Sequence, residues 1–134
     1  MQLDIINDGR GELSVFESMK NIPFDIKRVY CLTATKHGIS RGFHAHRQLS
    51  QVLVCIQGKC RVVFDDGIKR EEKWLSSKET GVFIKTMIWR ELHDFSEDCV
   101  LMVLASELYD QDDYICDYQV FLNETRHNSL PLTM

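Results

Sequence analysis

Residues 38–58 read Gly38-Ile-Ser-Arg-Gly-Phe-His44-Ala-His46-Arg-Gln-Leu-Ser-Gln51-Val-Leu-Val-Cys-Ile-Gln-Gly58. A polar segment carrying two histidines runs into a short apolar stretch that stops at a glycine. The stretch is too short for a helix and rich in Val, Ile and Cys, which predicts a strand over 51–57. Side chains alternate faces along a strand, so His44 and His46 share one side and Gln51 can join them after a turn. A lone histidine is more often structural. An i, i+2 pair bracketed by glycines places two imidazoles on one wall of a cavity.

Outward from this stretch the same punctuation recurs. Short runs rich in Val, Ile, Phe, Tyr and Cys predict further strands over 29–35, 60–64, 81–86 and 99–105. Gly58-Lys59 separates two of them at hairpin spacing and Asp65-Asp66-Gly67 ends the next, so the central third reads as an antiparallel meander. Only 110–125 has helical spacing, with Tyr114, Tyr118 and Phe121/Leu122 recurring every three to four residues, and it is expected to lie across the sheet. The acidic run 110–113 reads as a solvated helix start. Many short strands and only two prolines give an all-β fold class, a sandwich or barrel with a cavity between its sheets. No fixed-period repeat or low-complexity segment interrupts it. The tail 127–134 is expected to fray.

The chain has 134 residues, 44% apolar and 27% charged, which suits one domain over 1–134 with a single core. Its net charge of −4, with no run of Lys or Arg beyond two, excludes the basic stripe that nucleic acid requires. The N-terminus lacks the apolar stretch of a secretory signal, and no segment is long enough to span a bilayer. A cytoplasmic protein away from the membrane is expected. The five cysteines, Cys31, Cys55, Cys60, Cys99 and Cys116, are an odd set without a CxxC pair. They are expected to be reduced core filler rather than a nucleophile or a zinc site.

From Gly38 to Gly58 the spacing resembles the first cupin motif, with Gln51 where that motif has Glu. The second motif is degenerate: Gly81 is followed by Met87, Trp89 and Leu92, and His93 falls one residue off, which on a strand turns it to the other face. Two neutral histidines and an amide make a poor cage for iron, manganese or zinc. No catalytic metal and no cofactor are therefore expected. Free imidazoles titrate near neutrality and can carry protons between adjacent carbons, as transposing a ketone through an enediol requires.

The segments 21–30 (NIPFDIKRVY), 41–46 (RGFHAH), 51–55 (QVLVC), 89–95 (WRELHDF) and 103–106 (VLAS) narrow the likeness. Together they closely resemble the dTDP-4-keto-6-deoxyglucose 3,4-ketoisomerases, the WxcM-like sugar ketoisomerases, over almost the whole chain. That resemblance implies a double-stranded β-helix (cupin, or jelly-roll, barrel) with a short C-terminal helix, a homodimer, and a dTDP-linked 4-keto-6-deoxy sugar as substrate. It also implies metal-free chemistry and a product destined for 3-amino-3,6-dideoxyhexoses of surface polysaccharide or glycoprotein. By resemblance His44 and His46 are the catalytic pair, with the Tyr30 hydroxyl positioning the sugar or relaying a proton. Gln51 belongs with the substrate-binding residues.

An acidic protein must meet a diphosphate with local cations, and Arg28 and Arg41, close in sequence to Tyr30 and His44, are the candidates. Trp89 and Arg90, on the second-motif strand, are candidates for covering the base or touching the sugar, with a core role open for Trp89. His93 and Asp94 could form a polar pair nearby, while His37 and His127 read as loop and tail. Three other readings stay open: a sugar-nucleotide 3,5-epimerase, a non-catalytic ligand-binding cupin, and a metal-dependent cupin oxygenase.

Overall fold

The computed structural model describes residues 1–36 and 38–129, the last three through their backbone alone. The elements follow in the order β1 (Asp4–Asn7), β2 (Glu12–Val15), β3 (Arg28–Leu32), β4 (Arg41–His46), β5 (Gln51–Gln57) and β6 (Cys60–Asp65). Then come β7 (Arg70–Leu75), β8 (Val82–Ile84), β9 (Trp89–His93), β10 (Val100–Ala105), a 3-10 turn (Gln111–Asp113), β11 (Tyr114–Ile115) and α1 (Tyr118–Ser129). Beside the hairpin β1-β2, a four-stranded sheet in the order β3-β10-β5-β8 faces a five-stranded sheet in the order β11-β4-β9-β6-β7. All the strand pairs within these sheets are antiparallel.

Strand β5 has an unbroken apolar run because both its faces are covered. Leu53 and Cys55 point between the sheets with Val62, Leu92, Leu101 and Val103, while Val52 and Val54 pack outward with Leu3, Ile22 and Leu104. Burial on two sides removes the polar alternation that a half-exposed strand would show. The β5–β6 turn needs glycine. Gly58 has φ +72°, and a Cβ there would come within 2.3 Å of Ser96 Oγ and 2.8 Å of Cys99 Cα.

Two departures from the sequence reading bear on the site. Charged β7 is an edge strand paired with β6 from Arg70↔Asp65 to Leu75↔Cys60, and exposed edges favour charge. The helix expected over 110–125 is instead a 3-10 turn, a two-residue strand and then α1. Asp117 sets the start of α1: its Oδ1 accepts from Gln119 N at 2.8 Å and Val120 N at 3.2 Å, the geometry of an N-cap. Residues 114–115 are thereby left to extend the five-stranded sheet beside β4. Residues 127–129 continue the helix, whereas His37 and 130–134 lie outside the described residues. No helix among the described residues is long and apolar enough to cross a membrane.

Candidate active site

The pair sits on β4, and a bulge sets its orientation. The β4–β9 register runs Arg41↔Leu92 and Gly42↔Glu91 and then slips to His44↔Arg90, leaving Phe43 unpaired. Phe43 takes φ +58°, a strained conformation for a bulky residue. Its ring sits edge-on to His93 at 5.7 Å. Gly42 lies so close to β9 that a Cβ would meet Arg90 O at 3.1 Å and Glu91 Cα at 3.3 Å. Beyond the bulge, His44 and His46 both face inward, ring centroids 4.8 Å apart and planes near perpendicular. Tyr114 on β11 closes over both, 4.8 Å from His44 and 4.3 Å from His46.

The facing sheet supplies the rest through register. Ala105 of β10 pairs with Arg28 on one side and Gln51 on the other, so the long side chains of β3 and β5 flank a small one. Gln51 Nε2 donates to the Tyr30 hydroxyl at 3.0 Å, and its Oε1 accepts a short bond from Arg90 Nη1. Arg90 Nη2 donates to Ile88 O at 3.0 Å. This amide bridge joins the two sheets and holds a guanidinium only 2% exposed beside the imidazoles. The Arg28 guanidinium lies 5.1 Å from the Tyr30 ring and 5.5 Å from that of Tyr109. A cavity of about 560 Å³ opens alongside, bounded by Tyr109 and Asp113, which touch the site, together with Lys27, Arg47, Gln48 and Asp112.

The electrostatics fix protonation. Burial, and then the Arg90 charge, lower His44 to about 4. Burial, Arg90, His44 and Arg28 lower His46 to about 2. Both rings are therefore neutral at pH 7, weaker bases than a free imidazole near 6.5. His46 Nδ1 is 3.1 Å from Asp113 Oδ2, and the same carboxylate accepts from Gln48 N at 2.7 Å and Leu49 N at 3.2 Å. A carboxylate only accepts, so Nδ1 carries the proton and Nε2 is bare. A hydrogen bond to the Gly42 backbone, which raises the His44 pKa, anchors that ring in turn. Burial lowers Arg90 to about 10, still charged at neutral pH, and raises the Tyr30 phenol above its ordinary value, so it keeps its proton.

The structure thus gathers His44, His46, Tyr30, Arg28, Gln51 and Arg90 at one end of the barrel. Trp89 is a correction. It neighbours inward-facing Arg90 on one strand and so points the other way, packing on Tyr118 at 5.1 Å and Phe121 at 5.9 Å beneath α1. Its indole donates to Glu91 at 2.9 Å. Arg41 is exposed, and its side chain makes no hydrogen bond or ion pair with the described residues. His93 faces out, its Nδ1 2.6 Å from Ser40 Oγ and its Nε2 2.9 Å from Glu91, while Asp94 accepts from Arg61 at 2.7 Å. Tyr114, Asp113 and Tyr109 were missed, hidden within or beside the expected helix. The readable signal was Asp117, a helix-start residue that moves Tyr114 onto a strand.

The donor set does not suit a catalytic metal. Gln51 is committed to Tyr30 and Arg90, and a buried guanidinium beside two imidazoles repels a divalent cation.

The family described as FdtA: WxcM-like, C-terminal, matches residues 1–126. The chain belongs to this family. It is 53% identical over 116 residues, 87% of this chain and 84% of the relative, to TDP-4-oxo-6-deoxy-alpha-D-glucose-3,4-oxoisomerase of Aneurinibacillus thermoaerophilus. Among solved structures, this FdtA-family chain is similar to the sugar 3,4-ketoisomerase QdtA of Thermoanaerobacterium thermosaccharolyticum in complex with TDP. The TM-score is 0.92 and the identity 40%, over 96% of this chain and 94% of that one. A histidine-to-asparagine mutant of QdtA in complex with TDP-4-keto-6-deoxyglucose matches with a TM-score of 0.92 and 38% identity, over 97% and 94% of the two chains. These likenesses identify the two facing sheets as the cupin barrel.

Proposed function

We propose that the chain is a 3,4-ketoisomerase of TDP-4-keto-6-deoxyglucose, moving the carbonyl from carbon 4 to carbon 3 by proton transfer on His44 and His46. One observation carries this reading. The buried side-chain polar atoms without a partner among the described residues are Arg28 Nε and Nη2, Arg90 Nε and His46 Nε2. All four belong to the site. Buried polar groups are nearly always paired, so three unused guanidinium donors and one bare imidazole nitrogen suit a ligand with anionic oxygens and transferable protons.

Arg28 fits the diphosphate. It has unused donors, and rings on two sides hold its planar fork. His44 is the carbon base, since it is less deeply buried than His46 and holds the higher pKa of the two. It takes the proton from carbon 3, the electrons of that C–H bond form the enediol, and the proton is returned to carbon 4. His46, its tautomer set by Asp113, relays the hydroxyl proton from the carbon 3 oxygen to the carbon 4 oxygen. Tyr30 and Arg90, joined through Gln51, hold donors towards those oxygens. Family membership and the complexes of QdtA with TDP and with the 4-keto sugar support the choice of substrate.

The test is turnover of TDP-4-keto-6-deoxyglucose followed by NMR in deuterated solvent. His44→Asn is expected to lose ~10²–10⁴-fold in rate, the usual worth of a general base, while still binding TDP. His46→Asn is expected to lose less. Full activity in both variants removes them from the mechanism, and deuterium entering carbon 5 marks an epimerase instead.

A further inference from the structure

At the other end of the barrel, Cys55, Cys60 and Cys99 converge. All three are essentially fully buried, and their sulfurs lie within 4.8 Å of one another. Cys55 Sγ is 3.7 Å from Cys99 Sγ and donates to Gln57 O at 3.2 Å. Cys55 comes from β5 of the four-stranded sheet, Cys60 begins β6 of the five-stranded sheet, and Cys99 precedes β10. Gln51, the nearest member of the active site on β5, is four residues away, or about 14 Å along an extended strand.

We propose that these three thiols form a trigonal site for a soft, thiophilic cation, Cu(I), which fastens the two sheets together at the closed end of the barrel. Sulfurs this close enclose a point no more than about 2.8 Å from each (4.8 Å divided by √3). A metal–thiolate bond is ~2.3 Å, so rotamer adjustments of about half an ångström close the site. The donors are all soft, which selects Cu(I) over harder ions. Among the described residues no His, Asp or Glu joins the group as a fourth ligand, so tetrahedral zinc is left one donor short. Binding moves no electrons: the ion enters as Cu(I), and thiol protons leave to solvent.

A route in lies directly above. Lys59 N donates to Ser96 Oγ and Ser96 N to Lys59 O, each at 2.9 Å, and Cys99 N to Ser96 O at 3.1 Å. These bonds clasp the β5–β6 hairpin over the turn that carries Cys99. These three backbone and side-chain bonds are the contacts that cover the sulfurs on this side, so loss of them is the step that entry of the ion requires.

The test uses the full chain with the exposed Cys31 and Cys116 replaced, C31S/C116S, titrated without oxygen with Cu(I) against a chromogenic Cu(I) chelator. One Cu(I) retained per chain, three sulfur neighbours in X-ray absorption and a raised melting temperature are expected. Adding Cys60→Ala should weaken retention at least a hundredfold. No retention against the chelator, two-sulfur coordination, undiminished binding after Cys60→Ala, or preferential four-coordinate zinc binding each overturns the proposal. Absorption on the C31S/C116S chain decides even if the core variant fails to fold. Ketoisomerase turnover is not a readout, so this result and the functional reading stand or fall separately.

Discussion

His46 is held as a neutral ring by opposing influences. Asp113 at 3.1 Å favours the imidazolium, but burial and the surrounding cations outweigh it and keep the pKa at about 2. His44 is lowered to about 4 by burial and Arg90. In the unfolded chain both return towards 6.5. As pH falls below about 6.5 the unfolded state therefore takes up protons that the folded state refuses, and unfolding becomes easier. The stabilisation is present above the unfolded value and is lost as pH falls through that window. The unfolding free energy from urea titrations is expected to drop between pH 7 and pH 4, at up to about 1.4 kcal/mol per pH unit for each histidine. In His44→Asn the slope should flatten by the share of one proton. An unchanged slope means that His44 titrates in the folded protein as it does in the unfolded one.

At the scale of the element, the β4 bulge is the device that aims the pair. Gly42 has φ +91° and sits against the β9 backbone, whereas Gly38, at φ +81°, has nothing within 4 Å of the place a Cβ would take. Gly42→Ala therefore meets both backbone strain and a steric clash, and Gly38→Ala meets strain alone. Gly42→Ala is expected to cost about 1–3 kcal/mol, more than Gly38→Ala, and to lower turnover by displacing Arg90. Denaturant midpoints and rates of the two variants check this, and equal costs refute the close-approach argument. The bulge also shows where sequence periodicity stops. The spacing of His44 and His46 was readable because period two holds after residue 44. Arg41, three residues before His44, belongs by simple alternation to the opposite face, yet it pairs with inward-facing Leu92 because Phe43 is extra. Trp89 falls on the face opposite Arg90 because strand neighbours alternate, so of its two expected roles the packing on Tyr118 and Phe121 favours the core one. Tyr114 is hard to read because aromatic spacing over 114–122 mimics a helix, whereas the Asp117 cap starts that helix only at Tyr118.

For the whole molecule, the barrel is unevenly satisfied. One end is closed by apolar packing and thiols, while the other retains unpaired guanidinium and imidazole atoms. A buried donor without a partner destabilises the free protein by ~1–3 kcal/mol. The open end is thus stabilised by whatever supplies the missing acceptors. TDP should act in this way: at a hundred times its Kd it adds about 2.7 kcal/mol, roughly 10 °C in melting temperature for a domain of this size. Arg28→Gln separates the two effects, because among the described residues its buried Nε and Nη2 have no hydrogen-bond partner and its contacts are the Tyr30 and Tyr109 rings, so the proposed diphosphate is what would pair its charge. The free variant is expected to melt at or above the temperature of the parent, yet to gain almost nothing from TDP. A variant that melts lower without ligand but keeps its full TDP shift would assign Arg28 to structure, leaving the diphosphate to another cation of the barrel mouth.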